Sequence, residues 1–224
     1  QRRVSDKSNE IPALRDLLEP LDLDGAVITA DAMHTQRGTA EWIISRGAHY
    51  VLTVKGNQPG LKRELERLPW KDVPAVSVPD GSHGRRVRRT IKAVEAPAWI
   101  DFPGAAQVIR IRRTRTVRGR KHVEVVHLIC SLPMTDAQPE LVASWARGHW
   151  AIENRLHWIR DVVFDEDRHR LRTGNAPQVM AALRNLAISL IRLAHGPAAS
   201  IAATTRAMAR RPRRAIDLIT RPTT

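Results

Sequence analysis

Two short apolar segments, each followed by a segment with helical spacing, constrain the fold of this chain more than any other feature. The apolar runs cover residues 25–30 and 50–54, and the helical segments cover residues 35–46 and 59–68. Apolar runs of this length are typical of buried strands, and short connections between strand, helix and strand favour parallel pairing. The sequence therefore predicts an α/β core, preceded by a short amphipathic helix over residues 11–19.

The second half of the chain has a different pattern, in which apolar and basic residues alternate. Three segments show this alternation: residues 85–95, 107–117 and 122–130. The pattern predicts antiparallel strands with one wet, basic face, which we expect to follow phosphates without reading sequence. Arg118-Gly119 is the predicted turn between the last two strands. Helices are predicted over residues 137–164 and 175–194, followed by a weakly packed tail over residues 196–224.

The charge balance indicates the class of partner. The chain has 37 Lys and Arg against 23 Asp and Glu, a formal net charge of +14. Such a field favours a polyanion, and nucleic acid is the first choice for a chain without an apolar run of about 18 residues. We therefore predict a cytoplasmic location and no membrane partner. The single cysteine, Cys130, excludes a disulfide framework and a cysteine-based zinc cluster. Because the chain begins at Gln1 without an initiator methionine or a signal peptide, we expect a fragment.

Asp31 follows the first predicted strand directly. In a parallel α/β sheet, the carboxyl ends of the strands form the rim where ligands bind, so a carboxylate at this position faces a cleft. The alternative is that Asp31 caps the helical segment that follows, which is the commoner role of an isolated aspartate. Both interpretations stay open at this point.

A second carboxylate, Glu153, lies beside the apolar stripe of the long predicted helix. At about 100° per residue, it shares a narrow arc with two histidines and an arginine. One interpretation is an ion pair of Glu153 with His157 or Arg160. Another is a zinc site of His149 and His157, although their spacing of eight residues exceeds the usual chelating spacing. The third is a magnesium site that Glu153 shares with Asp31, and the strongly basic chain fits this interpretation best.

Several motifs occur here in the order that they have in one known family. The motifs are ITADAMHTQ at 28–36, YVLTVKGNQ at 50–58, HGR at 83–85, HWAIENRLHW at 149–158, DVVFDED at 161–167 and RTGNAP at 172–177. Together they resemble DDE-type insertion-sequence transposases of the ISAs branch. The motif at 149–158 is the most specific, and the resemblance extends over nearly the whole chain.

The resemblance implies an incomplete RNase H-like α/β core with a β-rich insertion before the last catalytic helix, and helices after it. It also implies metal-dependent cleavage of DNA strands and strand transfer during DNA transposition, with Mg²⁺ as the cofactor and Mn²⁺ able to replace it. Asp31 and Glu153 match the second and third catalytic acids and would hold the metal. The expected domains are an N-terminal remnant at 1–24, a catalytic domain at 25–170 with its insertion at about 71–135, a helix at 171–195 and a basic tail at 196–224.

The implied partner is double-stranded DNA, which includes the ends of the element and the target DNA. The resemblance also implies a homodimer in synapsis and association of the protein with the nucleoid. The residues expected to contact DNA have basic, amide or ring side chains: Lys55, Asn57, Gln58, His83, Arg85, Arg147, His149, Trp150, Asn154, His157 and Arg160.

The chain also departs from the family pattern. The first acid of the family lies on a strand upstream of the segment at 7–10, and no such strand precedes that segment here. We therefore expect poor folding of this chain alone and little strand transfer, and the alternative function is a non-catalytic DNA-binding remnant. The wider superfamily carries Tyr, Arg and Lys at helical offsets that fall here on Ala146, His149 and Arg160. Val87 stands where the family usually has Glu.

Overall fold

The computed structural model describes residues 10–80, 87–117, 120–152, 158–171 and 173–220. Contacts divide the chain into two compact units, Gln1–His149 and Trp150–Thr224, called here the N-terminal and C-terminal units. None of the helices in the described ranges is long and apolar enough to cross a membrane.

The N-terminal unit alternates helices and strands and then continues into an antiparallel region. Its helices are α1 (Glu10–Leu18), α2 (Arg37–Ser45), α3 (Pro59–Arg67) and α4 (Pro139–Ile152), whose last residues enter the C-terminal unit. Its strands are β1 (Val27–Ala30), β2 (His49–Val54), β3 (Val76–Asp80), β4 (Val87–Glu95), β5 (Gln107–Val117) and β6 (Arg120–Cys130).

The six strands form one mixed sheet in the order β1-β2-β6-β5-β4-β3. β1 and β2 are parallel, with Ala30 opposite Leu52, and every other neighbouring pair is antiparallel. The predicted α/β class is therefore confirmed. The β-rich insertion precedes α4, which is consistent with the RNase H-like architecture that the resemblance implies.

The core of the N-terminal unit forms around β2, because this strand has a neighbour on both sides. Its residues from Tyr50 to Val54 are buried, and the Tyr50 hydroxyl donates a 2.6 Å hydrogen bond to the Pro103 carbonyl. β1 was also expected to be buried, and this prediction is wrong. Only Ala30 is fully buried, since β1 lies at one end of the described sheet.

One strand of the insertion is absent from the sequence-based prediction. β3 pairs with β4, and it contains Pro79, which has no backbone N–H to donate. Proline normally argues against a strand, but β3 lies at the other end of the described sheet, where a missing donor is tolerated. The predicted turn at Arg118-Gly119 lies outside the described residues.

The connection from α2 to β2 depends on a glycine. Gly47 has a φ of +69°, and a Cβ on this residue would overlap the side chain of Asp24. Both facts exclude larger residues, so the sharp turn that brings β2 back beside β1 requires glycine here.

The C-terminal unit contains a π-helical turn (Ile159–Val163), a 3₁₀ turn (Glu166–Arg168) and the helices α5 (Ala176–His195), α6 (Ile201–Arg210) and α7 (Pro212–Thr220). The long helix predicted to Phe164 is described as α4 only to Ile152, and residues 153–157 lie outside the described ranges.

The prediction of a weakly packed tail after residue 195 is wrong. Ile201 is buried with Ile159, Ile188 and Ile191, and Leu218 of α7 packs against this cluster. The apolar residues of α6 and α7 lie on one face of each helix. The many arginines between them make this spacing hard to recognise in the sequence. The predicted domain boundaries stay predictions.

Candidate functional site

Asp31 lies where the resemblance expects an acid, directly after β1 at the carboxyl end of a parallel strand pair. It occupies the N-cap position of a 3₁₀ turn at Ala32–His34, but its side chain makes no capping hydrogen bond. The side chain is 54% exposed. The Asp31 side chain therefore does not cap this turn, and about half of it is open to solvent.

The imidazole of His149 meets this carboxylate from α4. Its Nε2 lies 3.5 Å from Oδ1 of Asp31, although 118 residues separate the two in sequence. The His149 side chain is 20% exposed. The structure thus brings together two residues that the sequence singled out on separate grounds, one on a strand end and one on the long helix.

Hydrogen bonds across two loops hold the segment that follows Asp31. Asn57 Nδ2 donates to the carbonyl of Ala32 at 2.6 Å, and Gln58 Nε2 donates to the carbonyl of Thr35 at 2.8 Å and to Oε1 of Gln36 at 3.0 Å. The two amide side chains expected to contact DNA therefore use their N–H groups to position the loop beside the carboxylate. Lys55, in the same connection, is exposed.

Thr35 belongs to the site, although the sequence favours it only as the N-cap of α2. Gln36 occupies that N-cap position instead. Thr35 is fully buried, and its Oγ1 donates a 2.7 Å hydrogen bond to the carbonyl of Thr53 in β2. The segment after Asp31 is thereby tied to the neighbouring strand. A threonine at the start of the predicted helical segment gave no signal that its hydroxyl would bond to a strand.

Several expected site residues lie outside the described ranges: His83, Arg85, Glu153, Asn154 and His157. The backbone of Trp150 belongs to α4, but its side chain is not described. The three interpretations of Glu153 therefore stay open. Within the described residues, no group of three or more His, Cys, Asp or Glu side chains is arranged to hold a metal ion.

Arg160, also expected to contact DNA, is engaged in an ion-pair network within the C-terminal unit. Its Nε and Nη2 donate to the two carboxylate oxygens of Glu166 at 2.5 and 2.7 Å, and Arg184 Nη1 lies 3.2 Å from the same carboxylate. We call Arg160, Glu166 and Arg184 the C-terminal triad. The hydrogen bonds from Arg160 lower the pKa of Glu166, and Glu166 in turn raises the pKa of Arg160.

Arg147 lies on α4 in the N-terminal unit. Burial first, and then the positive charges of Arg113 and Arg147, lower the pKa of Arg89 of β4. The residues expected to contact DNA therefore have different surroundings. His149 contacts Asp31, Asn57 and Gln58 hold the loop that follows Asp31, and Arg160 is paired with Glu166.

The N-terminal unit thus combines a mixed sheet with a half-exposed carboxylate at the end of a parallel strand, in a chain with a formal net charge of +14. Sequence comparison identifies the family: residues 1–190 match the family described as Transposase DDE domain, and the chain belongs to it.

Three relatives from Escherichia coli are similar to the chain. It is 34% identical over 206 residues to YbfL and to the "H repeat-associated putative transposase YhhI", both of strain K12, covering 85% of this chain and 54% of each relative. It is 34% identical over 203 residues to YncI of strain O157:H7, named a transposase in the same way, covering 86% of this chain and 52% of the relative. The chain thus spans about half the length of the curated relatives it matches.

A solved structure of the piggyBac transposase synaptic complex with hairpin DNA has a TM-score of 0.40 to the chain at 15% sequence identity. The match covers 98% of this chain and 44% of that chain, and it is too distant to define the fold.

Proposed function

We propose that the chain is the part of an insertion-sequence transposase that contributes Asp31 and Glu153 to metal-dependent cleavage and transfer of DNA strands. The observation that carries this proposal is the contact of Asp31 with His149. The contact brings a strand-end carboxylate to His149 of α4, and Glu153 follows His149 by four residues in the sequence. Membership of the Transposase DDE domain family supports the same reaction.

The residues at Asp31 suit a hard divalent cation. The carboxylate is half-exposed and makes no capping bond, and oxygen is the ligand that Mg²⁺ and Mn²⁺ prefer. Asp31 and Glu153 would hold the ion, which supplies activation of water and stabilisation of the leaving oxygen in phosphodiester chemistry. In the proposed role, the loop bonds from Asn57, Gln58 and Thr35 keep Asp31 oriented, because a small displacement of a reacting group is costly in rate.

Double-stranded DNA is the proposed partner, and the excess of basic residues supplies the attraction. Lys55, His83, Arg85, Arg147, Trp150, Asn154 and His157 keep their proposed role as DNA contacts. For Arg160 we propose instead that the side chain stabilises the C-terminal unit, because its Nε and Nη2 donate hydrogen bonds to the two carboxylate oxygens of Glu166. Assembly as a homodimer in synapsis and association with the nucleoid belong to the same proposal.

Plasmid nicking tests the proposal. The chain is incubated with a supercoiled plasmid that carries the DNA flanking its coding sequence, with Mg²⁺, with Mn²⁺ or with a chelator. In line with the little strand transfer expected above, we expect weak metal-dependent nicking by the wild-type chain and its loss in Asp31→Asn and Glu153→Gln. Asp101→Asn is the matched control, since Asp101 is an exposed carboxylate of the same unit, paired with Arg37 at 3.0 Å.

Two results would contradict the proposal. Nicking that persists in Asp31→Asn would show that this carboxylate does not hold the metal. No nicking by the wild-type chain, together with DNA binding that only weakens as salt rises, would support the alternative function of DNA binding without cleavage.

A further inference from the structure

The contact between Asp31 and His149 is longer than an ordinary hydrogen bond. Nε2 of His149 lies 3.5 Å from Oδ1 of Asp31, whereas N–H···O hydrogen bonds in proteins usually span about 2.7–3.2 Å. The two side chains come from the end of β1 and from α4, which are far apart in sequence. The fold therefore brings a carboxylate oxygen and an imidazole nitrogen together without joining them tightly.

The distance between these two atoms suits two ligands of one metal ion. Carboxylate oxygens and imidazole nitrogens bind divalent cations at about 2.0–2.2 Å. Two such ligands that enclose angles of about 90–110° at the ion are therefore roughly 2.8–3.6 Å apart. The 3.5 Å between Asp31 Oδ1 and His149 Nε2 falls within this range. A cation can bind both atoms with little movement of either side chain.

The surroundings of Asp31 leave its carboxylate available to a cation. Among the described residues, His149 is the side chain that pairs with it, and no lysine or arginine lies within ion-pair distance. Both side chains are partly exposed, so an ion can reach the pair from solvent. The carboxylate of Glu166 differs in this respect, because it accepts hydrogen bonds from Arg160.

Both ligands project from elements that the fold holds in place. Hydrogen bonds from Asn57 to the Ala32 carbonyl and from Thr35 to the Thr53 carbonyl fix the loop after Asp31. The helix α4, which carries His149, is anchored by three buried apolar residues: Val142, Ala143 and Ala146. Ligands on rigid elements lose little freedom when they bind an ion, so this arrangement favours metal binding.

A nitrogen ligand changes which ion such a site prefers. Mg²⁺ is a hard cation that is bound through oxygen, whereas imidazole is a common ligand of transition-metal ions. Mn²⁺ is a transition-metal ion and accepts imidazole more readily than Mg²⁺ does. A site that includes an imidazole therefore discriminates between Mn²⁺ and Mg²⁺ more strongly than a site of carboxylates alone.

We propose that His149 is a further ligand of the metal ion at Asp31 and that its Nε2 makes the site prefer Mn²⁺ over Mg²⁺. The inference rests on the proposed function, which assigns the metal to Asp31 and Glu153. It goes further by adding a nitrogen ligand, where the sequence suggested DNA contact or a zinc site with His157. In the sequence, Glu153 follows His149 by four residues, which is the spacing of the two histidine ligands in HExxH zinc motifs.

Calorimetric titration of Mn²⁺ and of Mg²⁺ measures the preference. For His149→Gln we expect Mn²⁺ binding to be weaker by about tenfold or more and Mg²⁺ binding to change by about twofold or less. His149→Glu supplies an oxygen ligand in place of the nitrogen. It should bind both ions while the preference for Mn²⁺ falls, and it covers the case that His149→Gln folds poorly.

His49→Gln is the matched control. His49 belongs to the same unit and begins β2 opposite Val27, whereas Asp31 follows the other end of β1. The control removes one imidazole from the same strand pair without changing the proposed ligands. Unspecific binding of metal by histidines would therefore weaken equally in His49→Gln and His149→Gln.

Pulsed electron paramagnetic resonance of bound Mn²⁺ gives a readout that a purely structural role of His149 would not change. A coordinated imidazole nitrogen modulates the Mn²⁺ signal, and we expect this modulation in the wild-type chain and in His49→Gln. It should be absent from His149→Gln and from His149→Glu, including the fraction of these variants that still binds Mn²⁺.

The possible results separate this inference from the proposed function. Mn²⁺ bound by the wild type without nitrogen modulation, or with modulation that persists in His149→Gln, would overturn the ligand role of His149 and leave Asp31 as a metal ligand. Equal losses of Mn²⁺ and Mg²⁺ affinity in His149→Gln would overturn the preference. Absence of Mn²⁺ binding by the wild type, or undiminished binding by Asp31→Asn, would overturn the proposed function and this inference together.

Discussion

The C-terminal triad and the Arg113–Glu124 pair of the antiparallel strands contain the same kinds of side chain in different electrostatic situations. In the triad, two arginines share Glu166, which accepts two hydrogen bonds from Arg160 and lies 3.2 Å from Arg184. The ion pair of Arg113 with Glu124 spans 3.9 Å, and the Glu124 side chain is 66% exposed. The triad is therefore a close and largely buried group of charges, whereas the pair on the strands is loose and open to solvent.

The comparison shows that arginine content does not identify DNA contacts. Arg147 and Arg160 both lie near Glu153 in the sequence, and the sequence alone does not distinguish their roles. In the structure, the carboxylate of Glu166 pairs with Arg160, as the short 3₁₀ turn at Glu166–Arg168 allows. Mutations in the triad should therefore change stability strongly, and mutation of Arg113 should change it little.

The largest effect on stability is expected for Glu166→Gln. This change leaves the side chain of Arg184, which is 8% exposed, without its carboxylate. Breaking such a pair from one side costs about 3 kcal/mol of unfolding free energy. Urea denaturation gives the total loss, and hydrogen exchange of α5 peptides shows whether the loss lies in the C-terminal unit.

Asp165→Asn is the control for this prediction, because Asp165 pairs with Arg168 at 3.8 Å and both side chains are largely exposed. It should cost less than about 0.5 kcal/mol. The double variant Glu166→Gln/Arg184→Met should recover part of the stability, since it removes the uncompensated charge. Equal stability of Glu166→Gln and the wild type would show that the triad is not a stabilising network.

Acid should destabilise the two units in different pH ranges. His127 of β6 is 5% exposed, and burial lowers its pKa to about 4, with Arg110 and Lys62 acting in the same direction against Glu66. The unfolded chain takes up this proton near pH 6.5, but the folded chain does so only near pH 4. Stability is therefore lost as the pH falls from 6.5 towards 4, by roughly 2 kcal/mol between pH 7 and pH 5.

The pKa of Glu166 is lowered instead, so the contribution of the triad is complete above the ordinary pKa of glutamate and is lost at lower pH. Hydrogen exchange at pH 7, 6 and 5, corrected for intrinsic rates, should show β6 losing protection before α5. His127→Gln should flatten this dependence, whereas His122→Gln, at an exposed position of the same strand, should not. If both units lose hydrogen-exchange protection at the same pH above 5, the assignment of the acid sensitivity of β6 to His127 is contradicted.

The smallest stability effect is expected for Arg113→Met. Arg113 repels Arg89 and its ion pair with Glu124 spans 3.9 Å, so in low salt the stability should stay equal or rise by about 0.5 kcal/mol. Arg184→Met, which removes a buried partner of Glu166, should lower it. Urea denaturation of the two variants side by side tests the contrast, and a clear loss of stability in Arg113→Met would show that Arg113 stabilises the fold.

Local patterns predicted the α/β part of the fold well, because β1, α2, β2 and α3 each carry their own periodicity and short connections. β3 was not predicted, since its stability comes from pairing with β4 and its Pro79 argues against a strand. The helices of the tail were not predicted either, because their few apolar residues gain meaning only from the isoleucine cluster they cover.

The candidate site was predicted in the same uneven way. Asp31 follows from its position after a strand, but the roles of Asn57, Gln58 and Thr35 depend on loops that approach each other in space. Glu166, in the acidic run at residues 165–167, has a distant residue, Arg184, as its second partner, and no local pattern in the sequence reveals that pairing.

Divalent-metal binding at Asp31 is the measurement that bears most directly on the proposed function. Mn²⁺ is titrated calorimetrically into the wild-type chain, Asp31→Asn and Asp101→Asn under identical conditions. The contact geometry at Asp31 and its half-exposed carboxylate predict Mn²⁺ binding by the wild type and by Asp101→Asn, and its loss in Asp31→Asn. Absence of binding by the wild-type chain, or equal binding by Asp31→Asn and the wild type, would contradict the assignment of Asp31 as a metal ligand.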